Sequence, residues 1–369
     1  MQNKKVLIVA NDFTTIHHFR MELLDSLQVR GYQVTVALPE DDRNRCFTEV
    51  GCQVQTIPMS RFGTNPLADM KTMLSIRRVI RQLHPVAVLT YTAKANIYGS
   101  MAAALERVPC ICTVTGLGIN FAKGNFVSKI MLMLHKFGLR KAQRVFFQNE
   151  SNRDYFVRNG IARRNGQIIP GSGVNLEQNA FATYPDNRPI QFISVARIRQ
   201  DKGYDELFDA VRRCREAGIA AQFHVVGWYE DERYHPVVEK MRKEYGVLFY
   251  DYVPHQQMHS LIAKCDCLIQ PSHHEGMSNV ILEAAASGRP CIVSDISGCR
   301  EGIRDGETGF LFRVKDSEDL YAKIHTFVAL PRERRAEMGK HARQYMESHF
   351  DRQLVIQHYV KEIEIAMQR

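Results

Sequence analysis

Residues His273–Asp295 read HHEGMSNVILEAAASGRPCIVSD, and the order of residue types along them decides how this chain folds. An apolar run, Cys267–Gln270, comes just before and stops at Pro271-Ser272, as a buried strand would. A loop containing Glu275-Gly276 then leads into an apolar run from Asn279 to Ser287, long enough for about two helical turns. Ser278 stands at the N-cap position, Gly288 just past the helix end, and Pro290 blocks continuation. Cys291–Ser294 is the next buried strand. Strand, loop, helix and strand in this order belong to a parallel α/β sheet, with a helix starting at the carboxyl end of a strand. Free N–H groups and the helix dipole both face that point, so it attracts anions.

Two carboxylates flank the helix start. Glu275 lies in the loop and Glu283 eight positions further on, at most about 12 Å away along the helix axis. Glu283 interrupts the apolar run VILEAAA, where an unpartnered carboxylate is costly. Two glutamates at this spacing also occur by chance, but here they bracket an anion-attracting point. A ligand with a phosphate in its middle and hydroxyl groups at both ends, such as a nucleotide sugar, fits that arrangement. The E-x7-E pattern, followed by Ala284-x-x-x-Gly288-x-Pro290 and a strand, resembles the donor site of the retaining GT-B glycosyltransferases of family 4. The resemblance implies that Glu275 contacts the donor sugar and Glu283 the nucleotide ribose, with Gly276, Met277, Ser278 and Asn279 also on the donor. It further implies an α/β GT-B fold, two Rossmann-like domains facing each other across a cleft.

A second constellation, Ser194–Gly203 (SVARIRQDKG), follows an apolar strand at the same sheet edge. Arg197 and Lys202 there can hold a diphosphate, Arg as a bidentate fork and Lys as a point charge. Alone this would be a solvated basic loop; beside the E-x7-E helix it resembles the family's R-x4-K-G diphosphate site. Arg199 has the same local opportunity. Arg197, Lys202 and Glu275 are therefore the catalytic candidates. Cleavage of the sugar–diphosphate bond builds negative charge on the leaving phosphate, and fixed cations aimed at it stabilise the transition state. The sequence holds no D-x-D triplet to carry a metal, so no cofactor and metal-independent transfer are expected. Retention of anomeric configuration is implied by the resemblance, and no protein nucleophile is named. His273-His274 lack a third ligand at a fitting spacing and count as pocket lining.

Length and composition agree with this. A chain of 369 residues suits two domains, and 45% hydrophobic with 24% charged residues is globular. Val6–Ala10 is too short for a signal-peptide core, and no apolar run approaches the length of a membrane span. Nine cysteines without a CxxC pair fit a reduced cytoplasm; the CxC pairs Cys110/Cys112 and Cys265/Cys267 lie in apolar strands. Net charge is +9, and it is uneven. Residues 1–180 hold 23 Lys+Arg against 12 Asp+Glu, while the remainder holds 26 against 28. The first half therefore faces something anionic.

Along the chain, strands and helices alternate: Lys5–Ala10, helix Thr15–Arg30, Tyr32–Leu38, Val54–Pro58, a loop with Arg61, a basic helix to His84, Val86–Tyr91, helix Ile97–Arg107, Cys110–Thr115, helix Phe126–Lys141 and Arg144–Gln148. The first turn has no glycine, which argues against a dinucleotide-binding fingerprint. Gly/Pro-rich Ile168–Val174 and Ala182–Pro189 form the hinge, after which the alternation restarts. The expected domains are 1–172 for the acceptor and 173–349 for the nucleotide sugar, with a helix over 350–369 packing back on the first.

Acceptor candidates are His18 and Arg20 at the start of the first helix, Lys94 and Asn96 in a turn at the same edge, and Glu150 after the sixth strand. Thr92-x-Lys94-x-Asn96-Ile97-Tyr98-Gly99, Thr115-Gly116-Leu117-Gly118 and Asn149-Glu150-Ser151-Asn152 resemble the branch that extends sugars on polyprenyl diphosphate carriers in bacterial surface polysaccharide and N-glycan precursor assembly. That implies transfer of a hexose or N-acetylhexosamine from a nucleotide sugar, a UDP-sugar first of all, to a lipid-linked saccharide. The helix Phe126–Lys141 carries Phe126, Ile130, Met133, Leu134 and Phe137 at helical spacing beside Lys129, Lys136, Arg140 and Lys141. This, with the charge excess, points to peripheral attachment on the cytoplasmic face of the inner membrane, against the plainer reading of a helix packed on its sheet. A sugar-nucleotide epimerase of the same architecture is the alternative enzyme. A nucleic-acid-binding protein would explain the charge, but no recognised binding motif is present.

Overall fold

A computed structural model describes residues 4–60, 65–116 and 126–368, apart from the side chains at 126, 127, 255 and 256. Arg61, Leu117, Gly118 and the Phe126 side chain lie outside the described residues. The chain divides into two compact units, Met1–Ser172 with Gln353–Arg369, and Gly173–Arg352.

In the first unit the strands β1 (Lys5–Val9), β2 (Gln33–Leu38), β3 (Gln53–Thr56), β4 (Ala87–Tyr91), β5 (Cys110–Val114), β6 (Arg144–Phe147) and β7 (Gly166–Ile168) form one sheet. Its order is β3-β2-β1-β4-β5-β6-β7, and every pairing is parallel. The central strands KVLIV, AVLTY and CICTV are apolar without alternation because helices cover both faces. The second unit repeats the plan with β8 (Ile190–Val195), β9 (Ala221–Val226), β10 (Leu248–Tyr250), β11 (Cys267–Gln270), β12 (Cys291–Ser294) and β13 (Gly309–Phe312), ordered β10-β9-β8-β11-β12-β13 and all parallel. Each sheet reverses its winding once, between β1 and β4 in the first and between β8 and β11 in the second. Ligands of doubly wound sheets bind outside the carboxyl ends of the strands at such a point.

Several elements differ from the sequence expectation, and three of them bear on the site and the core. The helix expected over Thr15–Arg30 is two, Phe13–His17 and Met21–Val29. Asp12 caps the first by accepting from the Thr15 N–H, and the break at His18–Arg20 turns the Arg20 side chain into the core. The helix expected from Ile97 begins with a wide turn, Ala95–Gly99, before Ser100–Leu105. The long helix Arg332–His349 was not anticipated; its Ala342 and Met346 pack on Leu282 and Ala285.

One buried cation fastens the linker. Arg289, 1% exposed, follows the helix Asn279–Ala286 and gives its N–H groups to the carbonyls of Ala182, Thr183, Ala263 and Gly288. The C-terminal helix, Arg352–Met367, closes the first unit: Val355, Ile356, Tyr359 and Ile363 join the core of β1, β2 and β4. Glu362, 3% exposed, bonds Arg144 Nε at 2.8 Å and Gln143 Nε2 at 2.9 Å, and Tyr359 meets Thr113 hydroxyl to hydroxyl at 2.8 Å. Glu362→Ala would strand Arg144. Because Arg144 can partly rehydrate, the expected loss is about 2 kcal/mol, below that for a fully buried pair. The far-UV circular dichroism transition in urea should move to lower concentration. The fluorescence transition of the single tryptophan, Trp228 in the second unit, should stay in place. An unmoved dichroism midpoint would show that this ion pair does not hold the C-terminal helix.

Candidate active site

The winding of the second sheet places two loops side by side: 196–203 after β8 and 271–278 after β11, since β8 and β11 pair directly. Gly203 lets them close. It has φ +74°, a left-handed conformation, and a Cβ there would stand 1.9 Å from the Pro271 carbonyl oxygen. The His273 N–H donates to the Asp201 carbonyl at 2.9 Å, a backbone bond from one loop to the other. The Tyr204 hydroxyl donates to the Ala196 carbonyl at 2.7 Å and pins the loop after β8 on itself.

That closure brings Lys202 onto Glu275. Lys202 Nζ lies 2.6 Å from Glu275 Oε1, with the two side chains 13% and 15% exposed. The same oxygen accepts from Ser272 Oγ at 2.7 Å and, more distantly, from Gln270 Nε2. Arg197 is paired elsewhere, its Nη1 2.6 Å from Glu230 Oε1, while Arg199 reaches Glu230 Oε2 at 3.0 Å and also Asp201. Burial alone would raise the Glu230 carboxyl, but Arg197 and Arg199 outweigh it and hold it below its ordinary value. His273 Nε2 donates to Glu206 at 3.0 Å; burial pushes that carboxyl up, and this bond together with a backbone hydrogen bond and the charges of His273 and Lys315 brings it below its ordinary value. His274 beside it is exposed.

The helix Asn279–Ala286 starts next to this cluster. Ser278 occupies the N-cap but its side chain does not cap, and its N–H goes to the Gly298 carbonyl at 2.8 Å. The first-turn N–H groups are thus left to another acceptor. Met277 is 7% exposed and packs against Leu282, Ala342 and Met346, so only its backbone can meet a ligand. Gly276, Asn279 and Glu283 are half-buried; Glu283 lies on the open side of the helix and not inside it, as the apolar run suggested. Glu230, Ser272, Gln270 and Glu206 were not singled out in the sequence. The one available signal was the position of Trp228-Tyr229-Glu230 directly after β9, at the same sheet edge.

In the first unit, His18 and Arg20 follow β1 while Lys94 and Asn96 follow β4, so all four belong to the winding reversal of that sheet. Two of them are turned inward. The Arg20 guanidinium lies over the Tyr91 ring at 4.6 Å and the Tyr359 ring at 5.9 Å, and donates to the Phe19 carbonyl. Asn96, 1% exposed, accepts from Thr90 Oγ1 at 2.7 Å and donates to the Thr113 carbonyl at 2.8 Å, tying β4 to β5. Lys94 Nζ bonds Asp69 and Ser60, each at 2.9 Å, and Tyr98 completes the Asp69 carboxylate. His18 is half-buried, and Glu150 is exposed as the first residue of the helix Glu150–Arg158, apart from the other four. Among the described residues no three His, Cys, Asp or Glu side chains are placed to hold a metal ion.

Comparison with known proteins covers both units. Residues 177–345 match the family described as Glycosyl transferases group 1, and residues 14–171 match the Glycosyl transferase 4-like domain. The N,N'-diacetylbacillosaminyl-diphospho-undecaprenol alpha-1,3-N-acetylgalactosaminyltransferase of Campylobacter jejuni is 26% identical over 366 residues, 94% of this chain and 95% of its own. The UDP-Gal:alpha-D-GlcNAc-diphosphoundecaprenol alpha-1,3-galactosyltransferase of Escherichia coli is 25% identical over 273 residues, 69% of each chain. In fold, Anabaena HepE in complex with UDP and glucose superposes with a TM-score of 0.80 over 98% of this chain and 99% of that one, at 18% identity. With two doubly wound parallel sheets and both halves matched by glycosyltransferase families, the chain belongs to the family 4 glycosyltransferases, enzymes of the GT-B fold.

Proposed function

We propose that this enzyme moves a hexose or N-acetylhexosamine from a UDP-sugar to a saccharide carried on polyprenyl diphosphate, with retention of anomeric configuration, in the building of a cell-surface glycan. The observation that carries this is the Lys202–Glu275 contact at the winding reversal of the second sheet, beside an uncapped helix start. It supplies a cation, a hydroxyl-binding carboxylate and free N–H groups within one loop pair. The two relatives named for undecaprenol-linked substrates support the choice of acceptor.

The chemistry follows from the charges. As the sugar–oxygen bond breaks, negative charge grows on the β-phosphate. Lys202, Arg197 and the first-turn N–H groups of Asn279–Ala286 face that charge, and their stabilisation is larger in the transition state than before it. Lys202 then exchanges a carboxylate partner for phosphate oxygen, and Glu275 is released to accept from the sugar hydroxyls. Glu283, about one turn into that helix, takes the ribose. The acceptor side belongs to the first unit, where Lys94 and His18 remain at the sheet edge. A lipid-linked acceptor places the work at the cytoplasmic face of a membrane. No described helix is long and apolar enough to cross one; the attachment we infer is peripheral, through the surface of the first unit.

Incubation with UDP-galactose, UDP-glucose, UDP-N-acetylgalactosamine and UDP-N-acetylglucosamine, each with a short-chain polyprenyl-diphosphate-linked saccharide, should yield one lengthened lipid-linked product. Interconversion of the nucleotide sugar without an acceptor product would instead favour an epimerase. Lys202→Ala and Arg197→Ala should each lower kcat by roughly 10²-fold, the scale of losing one preorganised charge. Glu283→Ala should chiefly raise KM for the nucleotide sugar. Rates within a factor of about two of wild type for Lys202→Ala would misplace the diphosphate.

We also expect metal-independent transfer, since protein cations can stand where a D-x-D carboxylate pair would hold a metal. Activity in excess EDTA should match that without it. Loss reversed by Mg²⁺ or Mn²⁺ would overturn the expectation.

A further inference from the structure

The first unit carries a built surface that its fold does not need. The helices Pro66–Leu83, Ser100–Leu105 and Phe126–Gly138 lie side by side on one face of its sheet. Their inner residues, among them Ile76, Val79, Ala102 and the half-buried Met131 and Leu134, fill the core beneath. Their outer sides carry large apolar residues as well as charges. Of eight exposed large hydrophobic residues described in this unit, six are here: Leu67, Met70, Leu74, Leu105, Met133 and Phe137, the last 61% exposed. Leu67, Met70 and Leu74 fall at helical spacing, as do Met133 and Phe137, so these two helices bury one side and show large apolar residues among cations on the other, while Ser100–Leu105 adds Leu105 alone.

The charges of this layer are one-signed. Its acidic side chains are engaged from within, Asp69 by Lys94 and Glu106 by Arg77 and Arg81. No ion pair among the described residues involves Lys71, Arg78, Lys129, Lys136 or Arg140. Where the helix Phe126–Gly138 ends, Lys136, Arg140, Arg163 and Arg164 line a cavity of about 390 Å³ whose rim includes Phe137. Two of these cations converge. The point where a Cβ on Gly160 would stand is 3.6 Å from Lys136 Nζ and 3.9 Å from Arg163 Nη2. The two cations therefore stand at most about 7.5 Å apart; an anion between them would be attracted by both, and a phosphate suits an ammonium and a guanidinium together. The cavity lies at the amino ends of β6 and β7, the opposite sheet edge from the loops after β1 and β4, so it is separate from the acceptor candidates.

We propose that this helix layer is the surface by which the enzyme rests on an anionic lipid leaflet. One lipid phosphate occupies the cavity of Lys136, Arg140, Arg163 and Arg164, and Phe137 and Met133 enter the headgroup–acyl boundary. Interleaved cations and large apolar side chains fit a bilayer surface; a nucleic-acid surface would leave the apolar ones unpartnered. The proposal rests on the lipid-linked acceptor proposed above and gives that reading a place on the protein.

The test is cosedimentation of the whole chain with phosphatidylcholine vesicles, with and without phosphatidylglycerol. Wild type should sediment with the anionic vesicles only and be released by salt. Lys136→Glu/Arg163→Glu should lower the partition coefficient at least about tenfold, and Phe137→Ser about fivefold. Lys136→Gln/Arg164→Gln, a milder change at exposed positions, should show a smaller loss in the same direction. All three should keep the wild-type melting curve and wild-type transfer to a soluble short-chain acceptor. Equal sedimentation with neutral and anionic vesicles, undiminished partition of the cavity variants, or tighter binding to an oligonucleotide than to anionic vesicles would overturn the proposal. Transfer to the soluble acceptor needs no vesicle, so its failure would count against the proposed function and leave the docking surface standing.

Discussion

The candidate site of the second unit depends on one steric allowance, the missing side chain at Gly203. Any Cβ there would sit inside the Pro271 carbonyl, so the loop after β8 and the loop after β11 could not close on one another. With glycine they do, and backbone bonding through His273 and Asp201 fixes the closure before any side chain is considered. The position of Lys202 against Glu275 is then a product of main-chain packing. That matters for a charged site: a preorganised cation needs no reorganisation when charge develops, and main chain is the stiffest available support.

The cations are held by carboxylates that a phosphate can replace. Lys202 and Glu275 satisfy one another, and Arg197 shares Glu230 with Arg199. A half-buried charge without a partner would be expensive. A partner that can be exchanged keeps the groups in place and lets the substrate take over. In the proposed reaction the catalytic advantage would come from the difference between a carboxylate partner and a phosphate whose charge is growing, and not from tight binding of the ground state.

Much of this was legible in the residue order. Uninterrupted apolar strands gave the parallel sheets, and Ser278, Gly288 and Pro290 bounded the donor helix correctly because local backbone chemistry sets them. What escaped was set by distant partners. A continuous helical pattern runs through His18–Arg20, yet the helix breaks there because Arg20 stacks on Tyr91 and on Tyr359, which is contributed by the far end of the chain. Asn96 looks like a loop polar group, but Thr90 and Thr113 claim both ends of its amide. Periodicity also finds a stripe without saying which side is inward. Leu134, grouped by spacing with Met133 and Phe137, packs on the core while the other two face out. Glu230 became relevant only when sheet order placed the end of β9 beside β8.

Arg289 gives the donor helix a mechanical neighbour. Its guanidinium bonds carbonyls from the linker at Ala182 and Thr183, from the end of the preceding helix at Ala263, and from Gly288 in its own turn. Burial disfavours its charged form, so each of those carbonyl dipoles is needed to keep it in place. A lysine there would keep the charge and lose the geometry, since one ammonium cannot span three segments. The linker is therefore anchored just past the C-terminal end of the helix Asn279–Ala286, whose N-terminal end adjoins the Lys202–Glu275 pair. A displacement of the linker therefore reaches the end of that helix through one side chain, held in place by its burial and by its bonds to three segments at once.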